Sequence, residues 1–242
     1  MKVLSRTVGM LVSAMGLAAS VPVAADPPTG TRVDRGVEGL SGRHNTLRDK
    51  SPRPGINAYF RCVASLDRAR AGKVVLLEYM SREQGELLGK VGQRSAFAVD
   101  RREDCFSDFG GGGVEIGFDR ASAIGAFAEF FTLQEFDAED AARLALLERD
   151  DWQTPALTPR NGSEMIGLCT AQAAGADVFH LIETAPASDE EAAAIQKVVP
   201  FLGPCLTDGV EVSFDETSLR ALLAHSLYKA LTGMEALEEA KS

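Results

Sequence analysis

The chain has 242 residues, 25 Lys plus Arg against 35 Asp plus Glu, a formal charge of −10 and 45% hydrophobic residues. That is enough apolar chain for one sizeable core. The acidic balance argues against nucleic acid and anionic membrane surface as partners, because like charges repel.

Residues 1–25 read as a targeting segment. Lys2 and Arg6 precede an apolar, small-residue run over 8–21, and Val23-Ala24-Ala25 offers small residues at the cleavage positions before Asp26. This is the pattern of a secretory signal peptide. The run is short and rich in Gly, Ala and Ser, which favours cleavage over retention as an anchor. Cleavage would leave a formal charge of −12. No later stretch reads as long and apolar enough to span a bilayer. The expected location is periplasmic or secreted.

Residues 26–55 hold Pro27, Pro28, Pro52 and Pro54 with several Gly and Arg and no aromatic residue. They read as a disordered, locally basic tail. The folded part is expected from Ile56. Tyr59, Phe60, Val63 and Leu66 have helical spacing around Cys62. A short apolar run over 74–80 fits helix or strand by period alone. Ser81 with Gln84 has capping-box spacing and opens the next helix. After Cys105 comes Gly113-Val114-Glu115, then Asp119 as an N-cap, then a helix with Ile124, Phe127, Phe130 and Phe131 on one face. Residues 56–133 are read as helical unit one.

Residues 134–162 are read as a connector. A helix runs from Phe136-Asp137 to about Arg149 with Ala141, Leu144, Ala145 and Glu148 on one stripe, and a linker with Pro155, Pro159 and Asn161-Gly162 follows. Asn161-Gly162-Ser163 is also a glycosylation sequon.

Residues 163–232 are read as unit two, a copy of unit one. Gly209, Val210, Glu211, Phe214, Asp215 and Ser218 stand 96 positions after Gly113, Val114, Glu115, Phe118, Asp119 and Ser122. Upstream, Cys169, the run over 178–183, Ser188 and Glu191 answer Cys62, the run over 74–80, Ser81 and Gln84. Phe118 and Phe214 are expected to staple onto the helix that each precedes. In unit two that helix carries Leu219, Leu222, Leu223, Leu227 and Leu231 on one face. Residues 233–242 read as a frayed tail.

The fold expected is mainly α: two pseudo-repeated helical units, each with an internal disulfide, sharing one core. The alternative is α+β with short strands at 74–80 and 178–183. Four cysteines allow three pairings, and an even count in an exported chain argues for disulfides. The duplication favours Cys62–Cys105 and Cys169–Cys205.

No catalytic, cofactor or metal constellation is apparent. G-x-S-x-G, H-E-x-x-H, P-loop, C-x-x-C and H-x-x-x-H spacings are missing. Among the histidines, His44 falls in the tail, His180 reads as a core imidazole, and His225 reads as exposed because it takes the place of Glu129. Trp152 and Tyr228 read as packing residues. Two functions remain. The first is an exported, non-catalytic envelope protein that binds a protein or cell-wall partner. The second is a hydrolase-like periplasmic enzyme drawing acid–base groups from Glu78, Glu183, Glu115 and Glu211. Oligomeric state is left open.

The signal segment, the twice-used order of Cys, Ser-capped helix, Cys and Gly-Val-Glu, and the run Leu219-Arg220-Ala221-Leu222-Leu223-Ala224-His225-Ser226-Leu227-Tyr228 together resemble uncharacterised exported bacterial proteins. The resemblance covers 56–231 and implies export and a duplicated paired-cysteine helical unit, with no catalytic residue. Unit one departs from it, with Ile124 for the Arg and Thr132 for the Tyr.

Overall fold

A computed structural model describes residues 52–96, 105, 119–148, 151–155, 157–207 and 212–242. The signal segment, the tail before Pro52, the glycines at 110–113, Phe118, Glu115 and Glu211 lie outside the described residues.

Eight α-helices and three short 3₁₀ turns, with no strand, make up the secondary structure of the described residues. The helices are α1 (Arg53–Leu66), α2 (Arg68–Leu76), α3 (Arg82–Ala96), α4 (Arg120–Glu135), α5 (Ala138–Arg143), α6 (Gly162–Glu183), α7 (Asp189–Leu202) and α8 (Glu216–Lys241). The α+β alternative is overturned. Residues 74–76 end α2, 77–81 form a turn, and 178–183 lie in α6.

α4 and α8 form the centre. The sequence suggests one apolar face on each, but both are buried nearly all round from Ala121 to Thr132 and from Leu219 to Leu231, as a helix surrounded by others must be. They cross where a Cβ on Gly125 would lie 2.6 Å from the Ala221 Cα. Only a residue without a side chain permits that approach. α1 and α2 cover α4, while α6 covers α8 and is itself flanked by α5 and α7. Most of the buried apolar side chains belong to one hydrophobic cluster that includes Phe60, Phe127, Leu144, Leu181, Leu222 and Leu231. Phe214 packs against it from just before α8, as expected for a staple.

Boundaries follow local chemistry. α1 starts at Arg53, earlier than the sequence suggests, because Pro54 sits in its first turn, where a missing N–H costs nothing. α1 and α2 are separated by Asp67 at φ −131°, ψ 56°. α6 is interrupted in the same manner by Ala174 at φ −142°, ψ 35°. The connector helix is shorter than its stripe suggests. It becomes 3₁₀ over Leu144–Leu146, which turns Ala145 outward while Ala141 and Leu144 stay buried. α8 runs to Lys241 in place of the expected frayed tail. Arg143–Glu238 at 3.0 Å and Lys241–Asp151 at 2.9 Å hold its last turns.

α6 contains a stretch long and apolar enough, by length and composition, to cross a bilayer, which the sequence reading missed. In the fold 61% of that stretch is buried against α5, α7 and α8. Gly175 makes the α5 packing possible, since a Cβ there would collide with the Ala141 carbonyl.

The N-caps match the sequence reading closely. Asp119 and Asp215 accept from Ser122 N and Ser218 N at 2.7 Å, and from the same serine hydroxyls at 3.2 Å. Ser81 and Ser188 accept from Gln84 N and Glu191 N at 3.1 Å. The reciprocal bond differs from the expected capping box. Gln84 Oε1 and Glu191 Oε2 reach past the Ser to the amides of Met80 and Ala187, at 2.7 Å each. Those two residues both have φ 61°, a left-handed conformation that L side chains resist, so a side-chain acceptor on each amide helps fix the turn.

The disulfides join Cys62 to Cys105 and Cys169 to Cys205, closing loops of 43 and 36 residues. They tie α1 to the segment before α4, and α6 to the 3₁₀ turn after α7. Each is worth about 4 kcal/mol in the chain-entropy account. Replacing either pair with Ala should lower the unfolding free energy by roughly that amount in denaturant titrations, with helical circular dichroism retained. Gly125→Ala should cost a further ~1–3 kcal/mol by overpacking, whereas Gly89→Ala, with nothing within 4 Å of the added Cβ, should stabilise by up to about 1 kcal/mol.

Candidate functional site

A guanidinium buried among carboxylates lies at the floor of a cleft between α1, α4 and α8. Arg220 on α8 is 4% exposed. Its Nε donates to Glu129 Oε1 at 2.6 Å and its Nη2 to Glu129 Oε2 at 3.1 Å, the paired geometry that suits Arg and a carboxylate. Nη1 donates to Glu191 Oε1 at 3.1 Å and to Thr184 Oγ1 at 3.2 Å. Nη2 also donates to the carbonyls of Ile182 and Thr184 at 3.1 and 3.0 Å. Every N–H of the guanidinium has an acceptor, which is the condition for holding such a charge inside a protein. Burial works against the charge, but Glu129 and Glu191 outweigh it and hold the Arg220 pKa above its usual range.

A second layer surrounds this group. Asn57 Nδ2 donates to Glu129 Oε2 at 2.9 Å. Arg53 bridges Glu191 at 2.7 Å and Glu216 at 3.0 Å. The cluster thus ties α1, α4, α7, α8 and the end of α6. Above it opens a cleft of about 310 Å³. Its mouth carries Asp119 and Asp215, the caps of α4 and α8; its walls include Ile56, Ala126 and Ala221; its floor is Glu129 and Arg220.

A separate polar cluster lies deeper on α8. Glu164, fully buried, accepts from Lys229 Nζ at 2.8 Å, Arg160 N at 2.8 Å and Tyr79 N at 2.9 Å. Burial opposes its charge, yet Lys229 and the two amides outweigh it, so its pKa is lowered. His225 faces the Leu77 carbonyl through Nε2 at 3.3 Å and packs on the Tyr79 ring at 5.0 Å between centroids.

The sequence candidates fall into place as follows. Cys62, Cys105, Cys169 and Cys205 are all bridged. Glu78 accepts from Asn161 at 3.0 Å, at the start of α6, while Glu183 ends α6 beside His180 at 3.7 Å. Glu78 and Glu183 thus sit at opposite ends of α6 with separate partners and do not form a carboxylate pair. Glu115 and Glu211 are not among the described residues. The histidine expectations reverse: His180 is exposed and His225 is fully buried. The Asn161 side chain caps α6 through Glu164 N and also donates to the Tyr79 carbonyl at 3.0 Å, so the sequon is committed inside the fold. Tyr228 donates to Glu135 at 3.0 Å and packs against Phe131 and Phe136. Tyr228 and Trp152 do not line the cleft. No group of three or more His, Cys, Asp or Glu suited to a metal ion occurs among the described residues.

Arg220, Glu129, Glu164 and Lys229 were missed by sequence reasoning. The sequence suggests one apolar face on α4 and α8, so charges off that face read as exposed, and only the packing of other helices around both shows them buried in pairs.

Comparison with protein families, curated proteins and solved structures finds no match.

Arg220→Met should cost about 3–5 kcal/mol, because it leaves Glu129 buried without its cation. Arg220→Lys should recover only part, since an ammonium cannot span Glu129, Glu191 and two carbonyls at once. Urea unfolding of the three proteins measures both values.

Proposed function

We propose that this chain is an exported, disulfide-stapled binding protein without catalytic chemistry, built from a tandem duplication of a paired-cysteine helical unit. The duplication is supported by the paired caps at Asp119 and Asp215 and at Ser81 and Ser188. The shared φ of 61° at Met80 and Ala187 and the helix breaks at Asp67 and Ala174 add to it. Ser81, Met80, Asp67 and Cys62 each precede their counterparts by 107 positions. Gly125 and Ala221, 96 positions apart like the caps, meet where α4 crosses α8. Equivalent residues that touch are what a local two-fold arrangement requires. Two disulfides and no free cysteine among the described residues favour an oxidising compartment outside the cytosol.

The cleft above Arg220 carries the binding reading. Its charged floor is saturated by internal bonds, which suits a rigid receptor surface better than acid–base work. Asp119, Asp215 and Glu129 outnumber Arg53 and Arg220 in its lining, so it fits a cationic group with an aliphatic stem. A lysine side chain of a protein partner or a free amine of a cell-wall peptide meets that description.

Asp119→Asn with Asp215→Asn tests this reading. Asn caps a helix about as well as Asp, so stability should change little while the mouth loses two charges. A lysine-bearing peptide should bind the wild-type protein and bind the double variant at least tenfold more weakly by calorimetry. Equal affinity in both proteins, or none in either, counts against the cleft as the binding site. For location, a reporter that requires export, fused after residue 25, should be active; an inactive fusion counts against secretion.

A further inference from the structure

Two turns of the same shape close against the central helices, and different groups clasp them. The turn over 184–188 is held by Arg220, which donates to the carbonyls of Ile182 and Thr184. The turn over 77–81 is held from α8 by His225, through a bond from Nε2 to the Leu77 carbonyl at 3.3 Å, and at its outer edge by the exposed Arg120 of α4, which donates to the Ser81 and Met80 carbonyls at 3.3 Å each. A carbonyl can only accept, so Nε2 carries the proton and the neutral ring leaves Nδ1 bare. His225 Nδ1 is buried with no hydrogen-bond partner.

We propose that His225 is an acid-sensitive latch, which releases the turn over 77–81 and the start of α3 from α8 on protonation, while the Arg220-clasped turn stays closed.

The argument is one of solvation. A second proton on Nδ1 would need an acceptor, and no hydrogen bond to that nitrogen forms in the closed fold. The groups that act on the ring come from α8, α6, α2 and the turn. Lys229, one turn along α8, disfavours a second cation. Glu164 on α6 favours one, as do the carbonyls of Val75 and Leu77 from α2 and the turn. Tyr79 from the turn packs against the ring at a tilt and is held neutral, its own pKa raised by burial and by Asp119 and Asp215. Burial dominates the sum and pushes His225 from 6.5 to about 4. The imidazolium can be hydrated only if the covering turn moves. Besides the exposed Arg120 clasp on the Ser81 and Met80 carbonyls, that turn is attached by Tyr79 N to Glu164, Asn161 to Glu78 and to the Tyr79 carbonyl, and Gln84 Nε2 to the Val74 carbonyl at 2.9 Å. Glu164 keeps Lys229 and Arg160 N when the turn leaves, so no buried charge is stranded.

The sign follows from linkage. The closed form binds the proton more weakly than an open, hydrated imidazole. Opening is therefore independent of pH above about 6.5, becomes tenfold easier per pH unit below it, and levels off near 4. The total gain is on the order of 300-fold.

Hydrogen exchange between pH 7 and pH 4, corrected for intrinsic rates, reads this directly. Protection of the amides over 79–91 should fall by a factor on the order of 100, while protection over 187–198 changes little. In His225→Gln, whose amide can still donate to the Leu77 carbonyl, protection over 79–91 should lose that pH dependence. Nuclear magnetic resonance titration of the wild-type His225 ring gives a reading that depends on no variant. A ring that titrates near 6.5 with the turn still protected overturns the latch. So does acid opening that is equal in both turns, or that persists unchanged in His225→Gln.

Discussion

The guanidinium of Arg220 is the point at which this fold is drawn together. Its partners come from α4, α7 and the end of α6, and the carboxylates that hold it are steadied in turn by Asn57 and Arg53 of α1. A lone charge in such a place would be intolerable. Here its full complement of acceptors turns the cost of burial into a demand for one arrangement of five elements. The Gly125–Ala221 contact brings α4 and α8 close enough for Glu129 to reach Arg220. The crossing and the charge cluster thus depend on each other.

The surrounding structure shows how similar backbones accept different chemistry. The turns at Met80 and Ala187 share a left-handed residue and the same backward reach of a side chain from the following helix. Yet Gln84 answers one amide and Glu191 the other. Glu191 is thereby free to serve Arg220 as well, with Oε2 on the turn and Oε1 on the guanidinium. Gln84 instead donates to the Val74 carbonyl. From α8, one turn is clasped by a permanent cation and the other meets a titratable ring, with the exposed Arg120 of α4 at its outer edge.

Much of the fold was legible because the relevant signals are local. Ser81, Ser188, Asp119 and Asp215 were readable as caps, since capping joins residues three apart. The helical class was readable from the spacing of Leu and Phe. What stayed hidden is non-local. Glu129 meets Arg220 across 91 positions, and no periodicity marks that pairing. His225 was read as exposed because its counterpart, Glu129, is charged. The inference failed because Glu129 is itself buried, in a pair. His180 was read as core because its neighbours are apolar, but in a helix the exposed stripe returns every three to four residues, and His180 lies on it. The candidate carboxylates were chosen by recurrence, which marks shared backbone needs more readily than shared chemistry.

The account rests on Arg220 and Glu129 acting as one unit in the interior, and a double-mutant cycle tests this most directly. Arg220→Met, Glu129→Met and the double variant would be compared by equilibrium unfolding. Buried pairs are costly to halve and cheap to replace whole, so the double variant should be more stable than the two single losses would give together, with a coupling of about 2–3 kcal/mol. Additive losses would contradict the claim that the fold is organised around this pair.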